Sequence, residues 1–223
     1  MLYVALALLP AMLLMVWLYT RDTLHPEPKR AVYRLFLLGA AIVLPAGLLE
    51  RSMLDSGVAA DGLRATFMTA FFVAGLVEEF LKAGIVDRSA VQAGLVKNPL
   101  DSIVYSGAVA LGFASVENIL YVTSSGFSTA ILRSVTAVPA HFMFGILMGN
   151  MFARSLFYGK SRALAYILPA LAHGVYDAFA LTNTWIGDGL LVAYLVFLLE
   201  MSLRQIEWAS RHSPVDRRQV KTV

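Results

Sequence analysis

Uncharged apolar runs of about 20 residues recur along this chain, the length a helix needs to cross the hydrocarbon core of a bilayer. Residues 2–20, LYVALALLPAMLLMVWLYT, hold no charge at all. The runs predict about seven spans, near residues 2–20, 31–50, 65–86, 102–123, 130–153, 162–182 and 187–206. Lipid offers the backbone no hydrogen-bond partner, so such segments must satisfy their own N–H and C=O groups as helices. The fold class that follows is an all-α polytopic transmembrane helix bundle. Composition agrees: 58% of the 223 residues are hydrophobic, whereas soluble domains hold about 45–50%, and the mean hydropathy is +0.69. The longest polar stretch follows Glu200 and is too short to bury a core of its own. The expected organisation is one transmembrane domain over residues 1–206 and a basic cytoplasmic tail at 207–223. The first run lacks a basic leader and a small-residue cleavage site, and is expected to be a retained helix.

Basic residues set the orientation. With the N-terminus outside, the inner loops and tail carry Arg21, Lys29, Arg30, Arg34, Arg88, Lys97, Arg154, Lys160, Arg162, Arg204, Arg211, Arg217, Arg218 and Lys221. The outer loops carry only Arg51, Arg64 and Arg133, and Lys82 lies within a span. The bias predicts N-terminus out and C-terminus in. The net charge of +3 therefore marks topology and gives no reason to expect nucleic acid as a partner. Membrane lipid is the expected partner of the basic tail. The absence of cysteine excludes thiol nucleophiles, disulfides and cysteine metal sites. HPEPKR (25–30) reads as an extended inner loop and KNPLD (97–101) as a turn into the fourth span.

Ionisable residues inside the spans are Glu78, Glu79, Lys82, Glu117, His141, His173 and Asp177. Each charged group at the bilayer centre costs about 2.5–3.5 kcal/mol on insertion scales, so these side chains are expected to face inward and meet one another. At a rise of about 1.5 Å per residue, Glu117, His141, His173 and Asp177 fall in one layer between the midplane and the outer leaflet, and Glu79 joins them if the third span begins three residues later. His173 and Asp177 share a helix face at i, i+4. Lys82 stands four residues from Glu78 and three from Glu79, so one glutamate is expected to pair with it while the other stays free. His141, Gly145 and Gly149 form a strip on which a neighbouring helix can approach closely.

Two carboxylates and two imidazoles can hold a divalent metal with an open position for water. A remaining glutamate would then be the general base. Without metal, a glutamate could activate water while a histidine and another donor stabilise the oxyanion. The nucleophile pattern G-x-S-x-G is absent. The same residues admit other readings. Glu78 and Lys82 could simply staple helices, a buried histidine is often a hydrogen-bonded core residue, and Glu117–Asn118 could be a packing site. Arg133 and Asp188 read as interfacial. A proton- or ion-coupled transporter would use the same residue types, although no internal repeat of the transporter kind is present. A non-catalytic membrane scaffold is the third alternative.

EEFLK (78–82), NPLDSIVYSGAVALGFASVENILY (98–121), HFMFGILMG (141–149) and HGVYDAF (173–179) resemble, in order and spacing, the PrsW family of intramembrane proteases. The likeness spans about residues 76 to 180. That family is similar to the CAAX-prenyl-protease and bacteriocin-processing superfamily. The resemblance implies an intramembrane endopeptidase of the metalloprotease type in a bacterial cell membrane. Its expected substrate is a single-pass membrane protein, with site-one cleavage of an anti-sigma factor in a stress response as the expected role. It makes Glu78, Glu79, His141 and His173 the catalytic set, with Glu78 favoured for activating water. Glu79, Glu117, His141, His173 and Asp177 become candidate metal ligands, zinc being the expected metal, and Lys82 and Asn118 supporting residues. The CAAX relatives carry EExxxR and HxxxN; here position 83 is Ala83, Lys82 supplies the basic group, and Asp177 replaces the asparagine. An ionised aspartate cannot donate to an oxyanion, so Asp177 must be protonated, bind metal or orient His173. This departure favours a metal site.

Overall fold

The computed structural model describes residues 2–21, 26–57, 63–182 and 184–213, and among them every regular element is a helix. The order is α1 (Leu2–Tyr19), α2 (Lys29–Ala41), α3 (Val43–Asp55), α4 (Leu63–Met68), the π-helical stretch π1 (Thr69–Leu76), α5 (Val77–Val86), a second π-helical stretch π2 (Asp87–Val91), α6 (Pro99–Ser125), α7 (Phe127–Val135), α8 (Ala137–Tyr158), α9 (Leu164–Ala180) and α10 (Trp185–His212). The all-α polytopic bundle expected from the apolar runs is what the chain forms. Lys29–Asp55, Pro99–Ser125, Ile131–Tyr158 and Trp185–His212 are each long and apolar enough to cross a membrane, and Ala7–Tyr19 and Leu164–Ala180 are shorter apolar helices.

Two segments expected as unbroken helices are interrupted, and proline explains both. A proline inside a helix lacks an N–H and clashes with the carbonyl four residues earlier. Pro45 therefore opposes Ala41, where α2 ends, and Ile42 forms the joint to α3. Pro139 likewise opposes Val135, the last residue of α7, and Thr136 (φ −117°, ψ −67°) is a distorted helical joint before α8 begins. The segment from α4 to π2 runs continuously from Leu63 to Val91, but about half of it is π-helical. α10 continues to His212, into the stretch assigned to the tail, supported by the pairs Arg204–Glu200 and Arg211–Glu207 at 2.5 Å. Residues 214–223 of the expected tail lie outside the described residues, as does His25 of HPEPKR; residues 26–28 are non-helical.

The turn at KNPLD is a built helix start. Asn98 Oδ1 accepts from the Leu100 and Asp101 amides, and Asp101 Oδ2 accepts from the Asn98 amide at 3.1 Å. Pro99 occupies the first helical position, where no N–H is needed. The helix launched there, α6, is the buried axis of the bundle and packs against α1, α2 and α8. Small residues set those distances. A Cβ on Gly149 would stand 2.6 Å from Ile103 Cα and Ser102 O of α6, so only glycine permits this crossing. Ser102 Oγ donates to the Gly149 carbonyl at 2.8 Å in the same contact. Gly75 of π1 crosses α9 equally closely, beside the Ala170 carbonyl and the Gly174 amide. Asn118 ties α6 to α1 by donating to the Ala7 carbonyl at 3.1 Å. These crossings fix the faces of α5, α6, α8 and α9 that meet in the interior.

Candidate active site

Glu78 and Glu79 open α5 immediately after π1, and both are buried. Adjacent positions on a helix point about 100° apart, yet both carboxylates reach the same cation. Lys82 Nζ lies 3.0 Å from Glu78 Oε2 and 2.7 Å from Glu79 Oε1, with no exposed surface. This corrects the expectation that one glutamate would stay free. The reach of the lysine stem lets one ammonium sit between carboxylates at i−4 and i−3. Its third contact is His141 Nδ1 at 3.1 Å, and it lies 3.9 Å above the Phe113 ring.

The two histidines arrive from α8 and α9 and meet edge to face, with ring centroids 5.1 Å apart. Each has one nitrogen toward the inner cluster, Lys82 for His141 and Glu79 for His173, and the other toward an outer carboxylate. His173 Nδ1 is 3.0 Å from Glu79 Oε1, and its Nε2 is 3.4 Å from Asp177 Oδ2. His141 Nε2 is 2.8 Å from Glu117 Oε2. An ammonium only donates, so His141 Nδ1 must be the acceptor toward Lys82 and Nε2 must carry the proton given to Glu117. Phe144 stacks on His173 at a centroid distance of 5.0 Å and further fixes that ring.

Glu78, Glu79, His141 and His173 present ligand atoms that all lie within 4.8 Å of one another. Glu79 Oε2 is buried and has no hydrogen-bond partner among the described residues. A buried carboxylate oxygen left in that state is costly, and a cation bound by this donor set would relieve it. The residues therefore fit a divalent metal with nitrogen and oxygen ligands. Glu117 and Asp177, expected among the ligands, stand behind the histidines instead. They hold each ring by the nitrogen opposite the one that meets Lys82 or Glu79, the arrangement that orients ligating histidines in metal enzymes. Asn118 is turned to α1 and supports packing.

A cavity of about 320 Å³ connects this cluster with the surface. Glu78, His141 and His173 line its floor; Leu54, Leu120, Tyr121 and Leu181, all exposed, line its mouth. Glu78 faces the cavity, whereas Glu79 does not. Glu50, Glu117, Asp177 and Arg133 form the walls. Arg133, read from the sequence as interfacial, is instead part of the site. Its Nη2 lies 2.9 Å from Glu117 Oε2 and its guanidinium 3.7 Å above Tyr121. Arg133 lies in the last turn of α7, just before the joint at Thr136. Glu50 was not singled out by the sequence reading either. An acid closing the apolar run of residues 31–50, on the same outer side as Asp177, was the signal available.

The whole-chain comparisons point to one family. Residues 27–202 match the PrsW family intramembrane metalloprotease. Protease PrsW of Clostridioides difficile (strain 630) is 33% identical over 218 residues, 93% of this chain and 91% of the relative. Protease PrsW of Geobacillus kaustophilus (strain HTA426) is 35% identical over 172 residues, 75% of each chain. Protease PrsW of Bacillus subtilis (strain 168) is 32% identical over 207 residues, 90% of this chain and 92% of the relative. No solved structure matches this chain. A match over most of the length, together with glutamates and histidines gathered in the bundle interior, places the chain in the PrsW family of intramembrane metalloproteases.

Proposed function

We propose that the chain hydrolyses a peptide bond in a single-pass membrane protein, with water activated at Glu78. The observation that carries this reading is the cavity floor: an acid and two histidines meet at the inner end of a space that reaches the surface. Hydrolysis inside a bilayer needs a route for water to a base, and here both are in one place. Glu78, the glutamate on the cavity side, accepts the proton from water. Glu79 holds Lys82 and His173 in register at 2.7 and 3.0 Å. His141 and His173, steadied by Glu117 and Asp177, face the reacting carbonyl. A divalent metal held by Glu79, His141 and His173 would leave Glu78 as the base and add Lewis-acid polarisation of the water and the carbonyl. Zinc is the metal we assign, because nitrogen and carboxylate ligands with an open position suit it.

The orientation we assign is N-terminus out, from the fourteen inner and three outer basic residues named above. The mouth then opens toward the outer leaflet, and the basic tail lies in the cytoplasm. The transmembrane domain ends near residue 206, with α10 projecting beyond it. An anti-sigma factor is the substrate class that the resemblance brings, in site-one cleavage during a stress response. Its single apolar helix is the kind of chain that can reach a buried site from within the bilayer.

The test uses purified protein in proteoliposomes containing a total single-pass membrane-protein fraction. Wild type is expected to yield defined fragments that Glu78→Gln does not. Proton or ion flux that depends on Glu78, with no fragment from either protein, would instead support a transporter. Capture of a partner that survives Glu78→Gln, again without fragments, would support a scaffold.

A further inference from the structure

We propose that the glutamate–histidine cage admits one cation at a time, either the Lys82 ammonium or a divalent metal, so that Lys82 sets the metal affinity of the site. The inference rests on the protease reading for its setting and on the cage geometry for its content. Lys82 Nζ has three donors, and each has an acceptor: Glu78 Oε2 at 3.0 Å, Glu79 Oε1 at 2.7 Å and His141 Nδ1 at 3.1 Å. Three of the four residues able to ligate a metal thus already point at one positive charge.

His141 decides the point. A neutral imidazole has a single lone pair on its unprotonated nitrogen. Nε2 gives its proton to Glu117, so the lone pair is on Nδ1, and Lys82 holds it. Bonds from zinc to nitrogen or carboxylate oxygen are about 2.0–2.2 Å long. A metal ligated by His141 takes the lone pair that Lys82 now uses, and the ammonium must leave the cage. The carboxylates alone would not force this choice, because each has further lone pairs and Glu79 Oε2 is unpartnered among the described residues.

Zn²⁺ alone is the probe, read by metal content per chain after gel filtration and by calorimetric titration of detergent-solubilised protein. Co²⁺ absorption reports ligation by nitrogen. Lys82→Met is expected to bind Zn²⁺ at least about tenfold more tightly than wild type, the scale on which groups beside metal ligands act. Adding His141→Gln to Lys82→Met should remove most of that gain. Lys82→Arg, which keeps the charge, should bind no better than wild type. If Lys82→Met folds only when Zn²⁺ is supplied, metal has replaced the missing cation, which also supports the shared cage. If it does not fold under either condition, Lys82→Gln is titrated in its place.

Stoichiometric Zn²⁺ in wild type that survives chelator dialysis and is unchanged or weakened by Lys82→Met overturns the proposal. So does a gain that His141→Gln leaves intact, since metal would then sit beside Lys82 on the carboxylates and His173. Absence of Zn²⁺ from every variant, with Glu78-dependent cleavage intact, overturns the shared cage and leaves proteolysis standing. Loss of the Glu78 dependence, with the Lys82 effect on Zn²⁺ intact, does the reverse.

Discussion

Glu117→Gln tests whether an outer carboxylate makes the inner site work. Glu117 Oε2 receives His141 Nε2 at 2.8 Å and Arg133 Nη2 at 2.9 Å. Hydrogen bonds to a charged group contribute about 1.5–3 kcal/mol each, and glutamine has one carbonyl oxygen for two donors. Removing one member of a fully buried pair costs about 3–5 kcal/mol. The Arg133 and Glu117 side chains are 17% and 16% exposed, so water relieves part of that cost. The expected loss of stability is therefore about 2–3 kcal/mol, at or just below the bottom of that range. Loss of a group that orients a ligating histidine lowers activity about 10–100-fold, which is about 1.4–2.7 kcal/mol in the barrier. The assay pairs initial cleavage rate in proteoliposomes with thermal unfolding in detergent. Arg133→Gln in the same chain should recover stability, because it removes the unpaired cation, and should leave the rate low. A folded Glu117→Gln protein that cleaves at the wild-type rate would refute the reasoning. His141 would then be held by Phe113 and Phe144, whose ring centroids lie 5.8 and 6.0 Å away.

Further outcomes follow from other contacts. Asp177→Asn retains an acceptor for His173 Nε2 and should lower the cleavage rate about tenfold, with Asp177→Ala lower still; equal rates for both would remove Asp177 from the orientation of His173. Gly149→Ala places a Cβ 2.6 Å from Ile103 Cα and should destabilise the α6–α8 contact by about 1–3 kcal/mol, visible as a lower unfolding midpoint in detergent; an unchanged midpoint would show that the crossing can widen. Asn118→Leu removes the bond to the Ala7 carbonyl and should lower stability by about 1 kcal/mol without changing the catalytic rate per folded molecule, measured on the same preparations.

The helices and the inward-facing acids were legible because both follow from strong, local rules. Apolar length dictates the bundle, and the cost of a charge in lipid drives Glu78, Glu79, His141 and His173 together. What escaped depended on where helices break or widen. Pro45 and Pro139 could have flagged the joints at Ile42 and Thr136, since each opposes the last residue of the preceding helix. Without the second joint, Arg133 seemed to lie at the membrane edge, when it in fact reaches Glu117. The π-helical turns before Glu78 have no comparable marker; TAFFVAGL is as apolar as its neighbours, and the tertiary crossing of Gly75 on α9 is not written in local pattern. The sharing of Lys82 by both glutamates escaped for another reason. Spacing allowed either glutamate to pair with it, and only the folded bundle brings both carboxylates to one ammonium.

The central claim, that this buried site cleaves peptide bonds, is tested most directly by the protein N-termini of membranes from cells expressing wild type or Glu78→Gln at matched levels. The account predicts new N-termini within or beside the transmembrane segment of a single-pass protein, present with wild type and missing with Glu78→Gln. The same N-termini in both membranes, with both proteins folded, would contradict it.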